Sequence, residues 1–414
     1  TLSLTNANAT SYSDIFVTKL DANGNFIWAR ASGAAFISDA GQAIALDATG
    51  NLLVAGQSGL TTFGGNAVAG AGRIFLAKFD GAGNPIWARA CGSAAVDGVL
   101  DVATGVGTDA AGNIHLAGTF EGPLATFGVA TLTNRGLSDG FLARFDPNGV
   151  PQRVVQIGGK GSDRINTLVV DAAGNAHVGG HFSGSLTLGA TGSLVPADVG
   201  LTSSGQIDGF VAQFDSAGAL AWASQVGGSG PDSVRGLALG PNGTVHVTGY
   251  FSGTAAFGNT TLDSSGATLD IFTARFTSTG QLSFAQQSGG SDLSGDYGNA
   301  IAIDPAGNSF VTGQFSGNAT LGTGESAGSG GGDVFLTRFN APVETPPQVN
   351  VQIINGNLVI RWPVAAYGWG VQQAPGNPVP SGWLSAPHTI TVIGNEYVVT
   401  IPISGQQGFF RLAR

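Results

Sequence analysis

Methionine is absent from this 414-residue chain, cysteine occurs once and glutamate four times. The lone Cys91 excludes an intramolecular disulfide and leaves the redox compartment open. It follows Trp87-Ala-Arg-Ala on an expected strand, a setting that reads as a buried, inert thiol. Charge is also scarce, with 10% of residues charged, a net charge of −10 and a pI near 4.7. No basic stripe is present, so nucleic acid is not an expected partner, and anionic membrane surfaces are disfavoured for the same reason. No stretch approaches the ~20 apolar residues of a membrane span, so membrane insertion is not expected. No apolar leader follows Thr1, and any signal peptide is expected to have been removed or left out.

Catalytic signatures are thin as well. Glu121, Glu325, Glu344 and Glu396 are the only glutamates, and nothing nominates a pair of acids sharing one cleft. Zinc-protease, phosphate-loop and Cys–His signatures are missing. The expectation is a protein that is not an enzyme.

What the chain has is glycine, 68 residues of it without a three-residue period, and short apolar runs bounded by turn residues. This composition favours an all-β protein. One stretch, DGFLARFDPNGVPQRVVQIGGKGSDRINTLVVDAAGNAHVGGHFSG from Asp139 to Gly184, returns along most of the sequence. Four strands repeat within it. Strand A is DIFVTKL at 14–20, with equivalents at 74–79, 139–145, 208–214, 270–276 and 333–339. Strand B carries FIWARA, PIWARA, PQRVVQ, LAWASQ and LSFAQQ. Strand C ends at Asp47, Asp109, Asp171, Gly240 and Asp304, and strand D carries the V-x-G-x-F type pattern. Asp-x-x-Gly turns join A to B and C to D, with Asp accepting turn amides and Gly supplying a positive φ.

The units recur at intervals of about 60–70 residues, and repeats of this kind must stack to bury their apolar faces. Four strands per unit predict a β-propeller of about five four-stranded blades, with six possible because strand A occurs once more than the others. The extra length lies between D and A, at 60–72, 123–138, 185–206, 254–269 and 318–332. Such insertions map to loops, and any ligand surface is expected there.

A Pro-rich linker at 341–348 separates these repeats, 1–340, from a terminal stretch at 349–414. Asn355-Gly356 marks a hairpin in that stretch, and His388–Ile403 marks another. A small β-sandwich is expected.

Asp39, Asp101, Asp163, Asp232 and Asp296 recur eight residues before the end of strand C. They would ring one mouth of a propeller, either holding a polar ligand or Ca²⁺ or satisfying backbone donors. Lys19, Lys78, Arg144 and Arg275 share units with Asp47, Asp109, Asp171 and Asp304, while Gln213 coincides with Gly240. Joint loss in one unit predicts ion pairs Lys19–Asp47, Lys78–Asp109, Arg144–Asp171 and Arg275–Asp304. His115, His177 and His246 share a strand-D slot with Leu53 and Phe310, which favours packed core histidines over a metal site. Trp28, Trp87, Trp222 and Phe284 on strand B, with Phe120, Phe182, Phe251 and Phe315 on strand D, read as core between blades. In the terminal stretch, Trp362, Trp369 and Trp383 are candidates for its core.

These motifs resemble the bacterial SBBP-type β-propeller repeat over about residues 12–340, with Arg73 and Gly240 departing from its aspartates. The terminal stretch resembles immunoglobulin- or fibronectin-like modules of secreted bacterial proteins. The resemblance implies an extracellular or cell-surface protein without a cofactor, serving as a scaffold for binding or surface assembly. Protein or surface-glycan partners and self-association are expected. The alternative is a subunit of a head-to-tail filament in which the surplus strand A inserts into a neighbour.

Overall fold

The computed structural model describes residues 13–33, 38–59, 62–63, 66–94, 100–189, 199–258, 260–264, 268–290, 295–322, 324–327, 332–340, 348–363, 370–375, 384–385, 390–393, 396–403 and 408–413. The chain divides into two compact units, Thr1–Asn340 and Ala341–Arg414. The linker 341–347, Trp369 and Trp383 lie outside the described residues.

The first unit is all-β, a series of sheets paired antiparallel except where Asn66–Gly70 runs parallel to Pro85–Ser93, and none closes into a barrel among the described residues. The sheets are offset from the sequence repeat. Each full sheet runs C–D–A–B, so it begins with strand C of one repeat and ends with strand B of the next. Sheet 1 holds Ala40–Leu46, Leu52–Gln57, Ile74–Phe79 and Pro85–Ser93; sheet 2 holds Val102–Thr108, Ile114–Phe120, Asp139–Phe145 and Pro151–Gly159. Sheets 3 and 4 start at Arg164–Val170 and Ser233–Leu239. Two partial sheets flank these four: an A–B pair, Ile15–Leu20 with Phe26–Ser32, and a C–D–A trio of Tyr297–Ile303, Ser309–Phe315 and Asp333–Phe339.

The expected four-stranded blades need correction. The D–A insertions are not open loops. After strand D of sheets 2 to 4 and of the C–D–A trio, each folds into a hairpin that extends the outer edge of the preceding sheet: Leu124–Thr126 pairs with sheet 1, Ser185–Leu188 with sheet 2, Thr254–Phe257 with sheet 3 and Asn318–Leu321 with sheet 4. Their apolar residues make this favourable, because Phe127, Leu132, Leu186, Leu188 and Phe257 are buried.

Successive sheets pack face to face, with consecutive C strands side by side. Alternation along strand A sets the interfaces, since neighbouring side chains point to opposite faces. Ile74 and Leu76 of sheet 1 join Phe141, Ala143 and Phe145 of sheet 2 in one core cluster. Leu142 then joins Phe210 and Phe214, and Val211 joins Phe272 and Phe276. Strand A is apolar on both faces because it lies inside two interfaces at once.

The glycine in the middle of strand D has a steric cause. Strand C carries a bulge opposite it, between Ala117/Gly118 in one register and Ile165/Thr167 in another. A Cβ at Gly118 would fall on the Val102 carbonyl oxygen, and one at Gly180 on that of Arg164. Gly56, Gly249 and Gly313 meet the same obstacle.

The second unit has two antiparallel sheets, one of Asn350–Ile354, Asn357–Pro363, Glu396–Pro402 and Thr391–Ile393, the other of Leu384–Ser385, Gly370–Pro375 and Gly408–Ala413. Both contribute to one core of Ile360, Trp362, Val371, Val399 and Ile401. Asn355 and Gly356 take φ of 49° and 77°, as the two-residue hairpin turn requires.

Gly180→Ala is expected to destabilise the first unit by about 1–3 kcal/mol, the cost of overpacking. A urea midpoint equal to that of the unsubstituted chain would contradict the steric role of this glycine.

Candidate functional site: the seams between sheets

The first four seams are fastened at both ends. At one end sits the aspartate that precedes strand C, and all five are buried. Asp232 Oδ2 accepts the Gly228 amide at 2.7 Å, from strand B of the preceding sheet, and Oδ1 accepts the Ser252 amide at 3.2 Å, from strand D of its own sheet. Its own amide donates to Ile207 O at 2.9 Å, just before strand A of the preceding sheet. Asp296 repeats this with Gly290, Ser316 and Leu269, and Asp101 accepts from Ser93 and Glu121. Asp163 accepts from Gly159 and Asp39 from Gly59. The carboxylates of Asp101, Asp163, Asp232 and Asp296 therefore staple adjacent sheets through backbone amides, each at its own seam, while Asp39 reaches back to Ser13 O through its own amide.

At the other end, side chains of strands A and B reach the A–B turn of the next sheet. Lys19 Nζ donates to Gly81 O at 2.9 Å, Lys78 Nζ to Pro147 O at 3.2 Å and Arg89 Nε to Gly149 O at 3.0 Å. Trp222 Nε1 donates to Ser278 O at 3.1 Å. The turns themselves are built by their aspartates. In one, Asp146 Oδ1 accepts the amides of Asn148 and Val150, and Gly149 has a φ of 74°.

Two of the four bases form ion pairs, with different partners from those expected. Lys78 pairs with Asp47 at 2.9 Å, both side chains buried, and Arg144 meets Asp109 at 3.8 Å. The expected Lys78–Asp109 and Arg144–Asp171 pairs join residues of different sheets. Because a sheet runs C–D–A–B, the base on strand A faces the aspartate of the strand C that precedes it. Lys78 is in register with Leu53, and Leu53 with Ala45, so one row crosses the sheet.

Lys19 and Asp47 likewise belong to different sheets, as do Arg275 and Asp304. Arg275 Nε donates to Ser283 Oγ at 3.1 Å. Asp304 is held below the usual carboxylate range by hydrogen bonds from Asn308 and by Arg338 of its own sheet. Asp171 accepts from Asn175. Gln213 and Gly240 also lie in different sheets, so their joint occurrence reflects no lost contact. Burial alone would raise the Asp47 carboxyl, but Lys78, Thr49 and Asn51 outweigh it and hold that carboxyl far below its ordinary range.

The three histidines stay apart, one in each of sheets 2, 3 and 4, all buried. His246 Nδ1 lies 2.8 Å from Ser309 Oγ, bridging to the following sheet. His115 sits 3.9 Å from Asp109, and the His177 ring tilts against Trp222. Burial lowers His115, His181 and His246 to about 4. Phe120, Phe182 and Phe251 are fully buried and Phe315 nearly so. Cys91 is buried, and burial followed by Asp101 pushes its thiol far up, away from reactivity.

Sequence reasoning missed a polar row along the C strands. Arg164 pairs with Glu121 at 2.7 Å. Asn166 Nδ2 donates to Ser233 Oγ at 3.0 Å. The Arg235 guanidinium lies 4.8 and 4.7 Å from the ring centroids of Tyr250 and Tyr297, with Nη1 donating to Asn299. These residues differ from repeat to repeat, so no periodic signal marked them. One serine also has the spacing of a nucleophile elbow, Gly324-Glu325-Ser326-Ala327-Gly328. Gly324–Ala327 is a strand paired with Asn318–Leu321, not the strand-to-helix turn that the elbow chemistry needs.

Two comparisons bear on this architecture. Residues 284–314 match the family described as SBBP, Beta-propeller repeat. That segment runs from strand B of sheet 4 through strands C and D of the final trio. The chain is also similar to a protein named Regulatory protein FlaEY from Caulobacter vibrioides, 28% identical over 159 residues, which is 38% of this chain. The match spans 15% of that relative's length.

Lys78→Met leaves Asp47 buried beside an apolar side chain, and a loss of about 3 kcal/mol is expected. Adding Asp47→Asn should recover much of it; a double variant as unstable as the sum of the two singles would refute the pair. The histidines predict a pH effect. Between about 6.5 and 4 the unfolded chain binds protons that the folded imidazoles refuse, so stability falls as pH falls through that window. His246→Gln should flatten this slope in urea titrations by about one proton.

Proposed function

We propose that this chain is a non-enzymatic extracellular or cell-surface scaffold, with its first unit a β-propeller of SBBP-type repeats and its second an immunoglobulin-like module. One observation carries this reading. The carboxylates, bases, histidines and aromatics that recur with the repeat fasten one sheet to the next, and none of these sets gathers at a shared cleft. The SBBP match at 284–314 supports the propeller. A rigid stack of this kind presents its variable parts, the rim hairpins and the row along strands C, to a protein or a surface glycan. On the first hairpin, Leu124 and Val129 are 55% and 50% exposed, and Leu137 beyond it is 76% exposed.

Head-to-tail assembly is the second reading, favoured by exposure at the two partial sheets. Phe16 is 68% exposed although its equivalents Phe75, Phe141, Phe210 and Phe272 are buried; Val334 and Leu336 are 83% and 73% exposed. Strand Ile15–Leu20 is already paired with Phe26–Ser32. A donor-strand mechanism must therefore peel it away, whereas face-to-face stacking needs no such step.

Light scattering and negative-stain imaging of the full chain, with binding to a panel of immobilised bacterial polysaccharides, separate these readings. The scaffold reading expects particles of constant mass and polysaccharide binding weakened by Leu124→Ser with Val129→Ser. Growth with concentration, abolished by deleting residues 1–20, would replace it with the filament. Turnover of a polysaccharide by the purified chain would overturn both.

A further inference from the structure

The staple aspartates have a second acidic partner that the architecture above does not use. Strand A carries Asp139 in sheet 2, Asp208 in sheet 3 and Asp270 in sheet 4 at or next to its first position, all at most 1% exposed. Each lies at the seam with Asp163, Asp232 or Asp296 of the following sheet. At the Asp139–Asp163 seam, Oδ1 of each acid is buried with no donor. At the other two a single glycine lies beside both carboxyls: a Cβ on Gly227 would stand 2.8 Å from both Asp208 Cγ and Asp232 Oδ2. At the next seam, a Cβ on Gly289 would stand 2.8 Å from Asp270 Oδ1 and 3.0 Å from Asp296 Oδ2. The Gly-Gly that ends strand B is thus the space two acids occupy.

Hydrogen bonding around these pairs is incomplete in a specific way. Asp208 Oδ2 accepts from the Ser204 amide at 3.0 Å and from Gln225 Nε2 at 2.5 Å; Asp139 Oδ2 accepts from the Arg135 amide at 3.0 Å and from Gln156 Nε2. Asp208 Oδ1 and Asp139 Oδ1 are buried with no donor. A buried oxygen without a donor is costly, and two carboxylates side by side cannot both stay ionised out of water. A cation of the calcium kind wants six to eight oxygens, yet Asp232 gives both oxygens to backbone amides and Asp208 gives Oδ2 to Ser204 and Gln225. A proton needs only one oxygen from each carboxyl.

We propose that the seams Asp139–Asp163 and Asp208–Asp232 each hold one proton between their carboxyls, so that the sheets are locked together by protonation. The proton on one acid supplies the donor that the other lacks. The groups acting on these pairs agree with this. Burial raises Asp139 and Asp208, and burial with the neighbouring carboxylate pushes Asp163 and Asp232 up to about 7. Among the described residues, Arg135 is the one cation shifting the first pair, and none shifts the second. His181 meets Ser233, next to Asp232, and is itself held neutral by burial, Arg164 and Arg235. The seam between sheets 1 and 2 has Arg73 where the others have the second aspartate, so it carries one acid and needs no shared proton.

The folded pKa is raised, so the stabilisation is complete below about 4, declines as pH rises toward about 7 and is gone above it. The buried histidines titrate in the opposite sense over part of this range, so the test is a comparison with Asp208→Asn, in which the amide donates in place of the proton. Urea denaturation of both full chains at pH 5, 6, 7 and 8 is the experiment. The variant should gain about tenfold in folded-to-unfolded ratio over the parent per pH unit up to about 7, then plateau. Equal pH slopes for the two chains would overturn the proposal. So would a gain in parent stability at pH 8 on adding calcium, reversed by a chelator and absent in the variant, since a cation would then be the occupant. Should Asp208→Asn fail to fold, infrared spectra of the parent decide: a protonated-carboxyl band at pH 6 that fades with a midpoint near 7 supports the shared proton, and no such band at pH 6 refutes it.

Discussion

A sheet of short strands with apolar side chains on both faces is stable only when both faces are covered. That single requirement organises the first unit. Strand A places Ile74 and Leu76 on one face and Phe75 on the other, and each face must find a neighbouring sheet. Stacking alone is non-directional, so the seams also need fixed register. The aspartate before strand C supplies it at one end, and the bases and aromatics of strands A and B supply it at the other by reaching the next A–B turn. Both devices use backbone groups as their targets, so they persist while the surrounding loops vary in sequence.

This arrangement explains why residues that look chemically capable are structural. A carboxylate whose two oxygens accept backbone amides from two sheets, as those of Asp232 do, is committed to holding the seam. A histidine wedged against the next sheet, as His246 is against Ser309, is held neutral by burial rather than poised to titrate near pH 7. Variation between repeats concentrates elsewhere, along the C strands and on the rim hairpins, where residues can differ without loosening the seams.

The elements were largely legible in the sequence. Alternation, Asp-x-x-Gly turns and Asn-Gly gave the strands and hairpins, because these signals act within a few residues. The five staple aspartates were legible too, by their constant distance from the end of strand C. Pairing was not. The joint appearance of Gln213 and Gly240 pointed to contacts within one sequence repeat, yet the sheet that buries Lys78 takes its Asp47 from the repeat before. The rim hairpins were read as loops because their strands of three or four residues are too short for periodicity to show. The Arg235 contacts with Tyr250 and Tyr297 were invisible for a different reason, since they join two repeats at positions that do not recur.

By itself, the sequence determined that the chain is all-β, repetitive and acidic, with turns at defined positions and a separate terminal unit. Those are local properties, set by backbone preference, side-chain alternation and composition. The tertiary structure alone decided where one sheet ends and the next begins, and hence which charges meet. It decided that Asp208 and Asp232, 24 positions apart in the chain, flank one glycine inside a buried seam. Sequence spacing carries no information about which neighbour covers a face, because that choice is made when several equivalent faces compete to be buried.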